Sequence, residues 1–259
     1  MRNNYDKIKE FLDFSDPGKF YLALVVKRKK DNPEMDRSEQ IIKNYMIPSM
    51  EKLDRVLPEM ETLCDTFNAR VYLYINRRSF KNTQKAMLKK LCDQLCADVV
   101  SNLNHLFDSC ASSSGCGDRF WIIDVDMPDK KYMLPDSYMR LESEIKLSLF
   151  DSINNAKPEL PKGDSRIKLV LPSKNGLHIV TSPFDTREWS GIRDKVLGLE
   201  RKYGAELELE LKKDAMVNLV YPEDQCTTPV GQLLNQFSKE NPRNVVNRLV
   251  PSLKIHRFL

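Results

Sequence analysis

Apolar residues in this chain fall into short runs separated by polar, helix-forming stretches. FYLALVV (20–26), ARVYLYI (69–75) and FWIIDVD (120–126) have strand length and are rich in β-branched and aromatic residues. RIKLVLP (166–172) and LHIVT (177–181) flank the tetrapeptide SKNG, and AELELEL (205–211) and MVNLVY (216–221) complete the extended set. Between them, 6–14, 37–66, 80–107, 137–155 and 186–203 read as helical. Asp-Pro-Gly at 16–18 closes the first helix, and Pro48 and Pro58 divide the second stretch into two or three. A proline has no amide donor and clashes with the preceding turn. Strands alternating with helices, plus at least one hairpin, predict an α+β (mixed α/β) fold with helices packed on a mixed sheet. The Ser/Gly/Cys-rich stretch 108–119 is the candidate internal boundary. It separates an α-rich N-terminal half (1–117) from a β-rich half (118–259) within one domain. Beyond Pro222 the chain is interrupted by prolines and predicts no element.

Composition changes this picture little. Hydrophobic residues make up 41% and charged residues 30%, a globular balance, and the net charge of +4 permits a nucleic-acid partner without demanding one. No apolar run is long enough to cross a membrane, and MRNNYDKIKEF lacks the apolar centre of a signal peptide. The six cysteines have no metal-site spacing, which predicts structural thiols in a reducing cytoplasm.

Chemistry first appears at the end of the 120–126 strand. Side chains alternate along a strand, so Asp124 and Asp126 share one face while Val125 points to the other. Two carboxylates held close repel each other unless a cation lies between them. Mg2+ or Mn2+ suits such a pair, because hard cations prefer carboxylate oxygen and keep positions open for substrate phosphates. A polar strand end entering a turn looks the same in sequence, so the pair needs context.

That context is the Ser173-Lys174-Asn175-Gly176 turn. Asn-Gly predicts a type I′ hairpin with positive φ at both central residues. The return strand then opens on His178, with Ser173 and Lys174 beside it. A hydroxyl, an amine, an imidazole and exposed amides make a site for a triphosphate. A third acidic feature is Glu206, Glu208 and Glu210, which alternate with leucines and share a face, followed by Lys212, Lys213 and Asp214.

In this order, Asp-x-Asp at the end of an apolar strand followed by Ser-x-x-Gly-x-His on a hairpin resembles the archaeo-eukaryotic primase superfamily. That superfamily includes primases, primase-polymerases and the polymerase domains of bacterial end-joining ligases. SKNGLHIV is similar to the end-joining form of the second motif. The resemblance covers roughly residues 118–222. It implies an RRM-like catalytic half, catalytic metals on Asp124 and Asp126, and nucleotide phosphates on Ser173, Lys174, Asn175, Gly176 and His178. It also implies a third acid, for which Glu210, Glu208 and Asp214 all remain candidates. The family's N-terminal half helps to hold template. Arg77, Arg78 and the basic run from Lys27 to Lys30 are the matching candidates for nucleic-acid contacts.

The expected function is metal-dependent transfer of nucleotides from nucleoside triphosphates to a nucleic-acid 3′-hydroxyl. Two alternatives stand beside it. Glu210-Leu211-Lys212 fits the Glu-x-Lys half of a metal-dependent nuclease signature, and a non-catalytic nucleotide- or nucleic-acid-binding module would keep the same fold.

Overall fold

Two antiparallel sheets organise the chain, and the apolar runs supply most of their strands. The computed structural model describes residues 2–99, 102–128, 132–157 and 166–222. These residues belong to one compact unit, 1–222. The first sheet has the order β1 (Arg2–Asn3), β10 (Met216–Tyr221), β4 (Arg70–Tyr74), β2 (Lys19–Arg28), β3 (Glu39–Ile47), with β5 (Arg78–Ser79) also paired to β2. The second has the order β7 (Ile167–Pro172), β8 (Gly176–Thr181), β6 (Trp121–Asp126), β9 (Glu208–Lys212). The helices are α1 (Tyr5–Lys9), α2 (Met50–Phe67), α3 (Phe80–Cys96), α4 (Leu103–Ser113), α5 (Pro135–Asn155) and α6 (Trp189–Tyr203). None of them is long and apolar enough to cross a membrane among the described residues.

The fold is α+β. From β6 to β9 the connectivity is β-α-β-β-α-β, and the strand order makes it a double split βαβ unit, the RRM-like plan. The pleat sorts its residues. Ile123 and Val125 of β6 join Leu177 and Ile179 of β8 under α5 and α6, against Leu141, Ile145, Leu149, Ile192 and Val196. Ile122, Leu171 and Val180 instead enter a core with Val25, Val71, Leu73 and Val217 of the first sheet and Leu53 and Met60 of α2. Each fully buried side chain of this kind contributes about 1.5–3 kcal/mol, so this shared core fixes the two sheets against each other.

Several local expectations fail. Residues 39–47, read as helix, form β3, an antiparallel partner of β2. This strand is largely exposed, burying only Tyr45 and Ile47 near its end. An edge strand so polar carries the composition of a surface helix, and pairing with β2 decides the outcome. Pro58 lies inside α2 rather than breaking it. It falls on the solvent side, where water can satisfy the carbonyl that loses its donor, while Leu53, Val56, Met60 and Cys64 anchor the opposite stripe. The 80–107 helix is two helices, and the second runs to Ser113, well into the expected 108–119 loop. The expected 6–14 helix shortens to Tyr5–Lys9. Residues 1–117 hold four helices and also the strands β1 to β5 among those described. β10, from the far side of the 108–119 stretch, lies between β1 and β4.

Candidate active site

The register of the second sheet brings the sequence candidates together. Asp124 on β6 lies opposite His178 on β8 and, on its other side, opposite Glu210 on β9. Asp126 lies opposite Gly176 and Glu208 in the same way. Cross-strand neighbours in one register share a face, so imidazole and carboxylates form a row on the side away from α5 and α6. This face and the first sheet line a cleft of about 630 Å3. Asp124, Asp126, Ser173, Lys174, Asn175, His178, Glu210 and Asp214 all border it.

Asp124 is the most constrained of these groups. Its Oδ1 is 3.2 Å from His178 Nε2, and its Oδ2 accepts from Lys212 Nζ at 2.6 Å. Burial pushes the Asp124 carboxyl up, but the His178 and Lys212 bonds and charges outweigh it and hold the pKa at about 2. Lys212 also reaches Glu210 Oε2 at 3.1 Å, so an ammonium bridges the two carboxylates. Burial lowers the Lys212 pKa, but the bonds and charges of Asp124 and Glu210 together outweigh it and leave the pKa raised. His178 Nδ1 and Ser173 Oγ are buried without a partner among the described residues. Burying a polar atom unpaired costs about 1–3 kcal/mol, and both residues border the cleft.

The hairpin forms at the expected place, but not for the expected reason. Neither Asn175 nor Gly176 has positive φ. Gly176 is required by crowding, because a Cβ there would lie 1.8 Å from the Val125 carbonyl oxygen. The Ser173 amide donates to the Gly176 carbonyl at 2.9 Å, and the Met127 amide to the Asn175 carbonyl at 2.7 Å. The turn is thereby tied to the end of β6. Gly176→Ala is expected to lower stability by about 2 kcal/mol or more, since only a backbone shift relieves such a clash. Urea unfolding checks this, and a midpoint equal to the parent's rejects it.

Lys174 reaches out of the hairpin to Asp31, whose Oδ1 is 3.2 Å from its Nζ. Asp31 also takes a two-pronged bond from Arg70 Nε and Nη2, both at 2.7 Å. The cluster couples the turn of the second sheet to β4 of the first. Arg28, Lys30 and Arg70 line this end of the cleft, and Arg28 donates to the Tyr72 hydroxyl at 3.0 Å.

The other sequence candidates lie elsewhere or are already engaged. Arg77 does not border the cleft. It pairs with Asp118 at 2.5 Å and Asp13 at 2.7 Å. Lys27 also points away from the cleft and pairs with Glu34 at 2.8 Å. Arg78 is 1% exposed, lies over the Tyr74 ring and grips both oxygens of Asp214. Asp214 is therefore less available than Glu210 as a third acid. In the 27–30 run the cleft-lining members are Arg28 and Lys30. Arg70, Tyr72 and Asn218 were missed, although the alternation of RVYLY already put Arg70, Tyr72 and Tyr74 on one face.

Comparison with family models, curated proteins and solved structures returned no match. The site therefore has to be judged on its own chemistry. Among the described residues no three His, Cys, Asp or Glu side chains converge to cage an ion alone. Mg2+ seldom asks for such a cage: it takes one or two carboxylates and completes its shell with water and phosphate. Asp124, Asp126 and Glu210 supply that donor type, and an ion placed between Asp124 and Glu210 would displace the Lys212 ammonium that bridges them.

Proposed function

We propose that this chain is a metal-dependent nucleotidyltransferase of primase-polymerase type, joining nucleoside triphosphates to a nucleic-acid 3′-hydroxyl. The observation that carries the reading is the register: His178, Asp124 and Glu210 side by side on the open face of an RRM-like sheet. Beside them the cleft turns cationic, with Lys174, Arg28, Lys30 and Arg70, as a triphosphate requires. That the two motifs border one cleft supports this reading.

On this reading one or two of the Asp124, Asp126 and Glu210 carboxylates would hold Mg2+ or Mn2+, with water and phosphate completing the shell. When bound, the ion polarises the phosphate and makes the attacking hydroxyl easier to deprotonate. His178 orients the Asp124 carboxylate through Nε2. Ser173 and Lys174 hold the outer phosphates, Lys174 exchanging its Asp31 partner for one of them. Arg28 and Lys30 add positive charge for the phosphates at the same end of the cleft.

One observation favours a second reading. The sequence sets Glu210-Leu211-Lys212 far from Asp124, yet β9 pairs with β6 and Lys212 touches both acids. A nuclease with Asp and Glu-x-Lys on adjacent strands has this arrangement. Labelled primer–template with Mn2+ separates the two. Extension that needs added nucleotides supports nucleotidyl transfer, and shortening without nucleotides supports cleavage. Lys212→Met is expected to leave extension within about tenfold of the parent, whereas a cleaving enzyme would lose most of its activity. A chain that neither extends nor binds nucleotide in Mn2+ ends the proposal.

A further inference from the structure

The wall facing the acids has its own order along the strands. Tyr72 on β4 lies opposite Asn218 on β10, and Tyr74 lies opposite Met216. Arg70 stands two residues from Tyr72 on the same face. Read from the hairpin end, the wall therefore runs from cations (Lys174, Arg70, Arg28), through Tyr72 and Asn218, to the apolar pair Tyr74 and Met216. All of these line the cleft. The order is that of a nucleoside triphosphate: phosphates, sugar, base.

Asn218 is the unusual member. It is 2% exposed, and its side-chain Oδ1 is buried with no hydrogen-bond partner among the described residues. The backbone around it is fixed. Asn4 Nδ2 donates both to the Asn218 carbonyl at 2.8 Å and to the Pro172 carbonyl at 3.0 Å. That bracket sets Asn218 next to the residue preceding Ser173, just inside the phosphate end. The register of β10 against β4 shifts at Asn218, between the pairs Asn218–Tyr72 and Val220–Val71. Such irregularities re-aim side chains beside active sites. A buried acceptor with no donor calls for a ligand that brings a hydroxyl or an N–H. At this point of the sequence phosphate, sugar, base, the donor a nucleotide offers is a ribose hydroxyl.

We infer that Asn218 is a specificity-determining residue that accepts a hydrogen bond from a ribose hydroxyl of the incoming nucleotide, with Tyr72 packed beside the sugar. The inference rests on the nucleotide-binding reading of the cleft and adds its sugar preference. A site built to bond a hydroxyl discriminates strongly against an analogue lacking it, because its polar atom is then left unpaired.

The test needs binding only. Calorimetric titrations in Mn2+ would compare ATP, 2′-deoxy-ATP, 3′-deoxy-ATP and inorganic tripolyphosphate on the parent chain and on Asn218→Ala. The parent is expected to bind ATP roughly tenfold more tightly than at least one deoxy analogue, and the analogue that loses affinity names the hydroxyl. Asn218→Ala is expected to bind ATP only as well as that analogue, with tripolyphosphate unchanged. Equal affinity of the parent for ATP and both deoxy analogues overturns the inference, and this arm stands even if the variant does not fold. A variant that weakens all four ligands alike also overturns it, because Asn218 is then merely structural. If the parent binds neither tripolyphosphate nor ATP, the nucleotide reading itself fails. If it binds both and ignores the sugar, only the role of Asn218 is lost.

Discussion

Asp124→Ala is expected to abolish nucleotide transfer while leaving the fold intact. Asp124 stands at the centre of the row, touching His178 and Lys212 and neighbouring Glu210. Its pKa of about 2 means that it is a carboxylate at any working pH, available as a permanent negative ligand. Removing a preorganised charge at the reacting centre costs roughly a thousandfold or more in rate. The structural cost is smaller, because Lys212 keeps its Glu210 partner and β6 stays anchored by Ile122, Ile123 and Val125, each at most 1% exposed. Primer extension in Mn2+, with a thermal melt on the same sample, measures both halves. A variant that melts like the parent and still extends primers at a comparable rate would remove Asp124 from the mechanism.

Asp31→Ala is expected to be the most damaging substitution for stability. The Asp31 side chain is 3% exposed and that of Arg70 7%, so the variant buries an uncompensated guanidinium. Losing one partner of a buried pair costs about 3–5 kcal/mol. The pH dependence follows. Burial raises the Asp31 pKa, but Arg70 and Lys174 hold it below the ordinary value. A depressed folded pKa means the contribution is complete above the unfolded value, roughly 3.9, and disappears as pH falls through the lower folded value. Parent and Asp31→Asn should therefore differ in urea midpoint at neutral pH and approach each other below about pH 4. A constant difference down to pH 2 would contradict the assignment.

The second sheet was largely legible in the sequence because its strands announce themselves. FWIIDVD, RIKLVLP and LHIVT are apolar, the SKNG turn joins two of them, and the acids alternate with buried residues. The α+β class and the shared face of Asp124 and Asp126 followed from pleat and order alone, whereas His178 was set beside them only by the family resemblance. What could not be read is what depends on register between distant segments. Nothing local puts Glu210 rather than Asp214 beside Asp124. That choice comes from β9 pairing with β6 and from Arg78 engaging Asp214. Arg77 and Lys27 looked available because charge runs carry no record of their partners, here Asp118, Asp13 and Glu34. β3 was hidden because an exposed edge strand has no apolar period. Asn218 gave no signal, since an unpaired amide oxygen is a property of its surroundings.

The placement of β10 sets the order in which the molecule can be completed. Residues 121–212 are contiguous in sequence and hold every strand of the second sheet, so that unit can close on itself as it leaves the ribosome. The first sheet cannot. β2, β3 and β4 emerge early, but the slot between β4 and β1 stays open until residues 216–221 arrive. Until then β4 presents an unpaired edge, a hazard for association with other chains. Contacts of such long sequence separation form late, so the cleft is finished last, after both of its walls exist. An incomplete chain thus carries the acids of the second sheet opposite a wall that still lacks Met216 and Asn218.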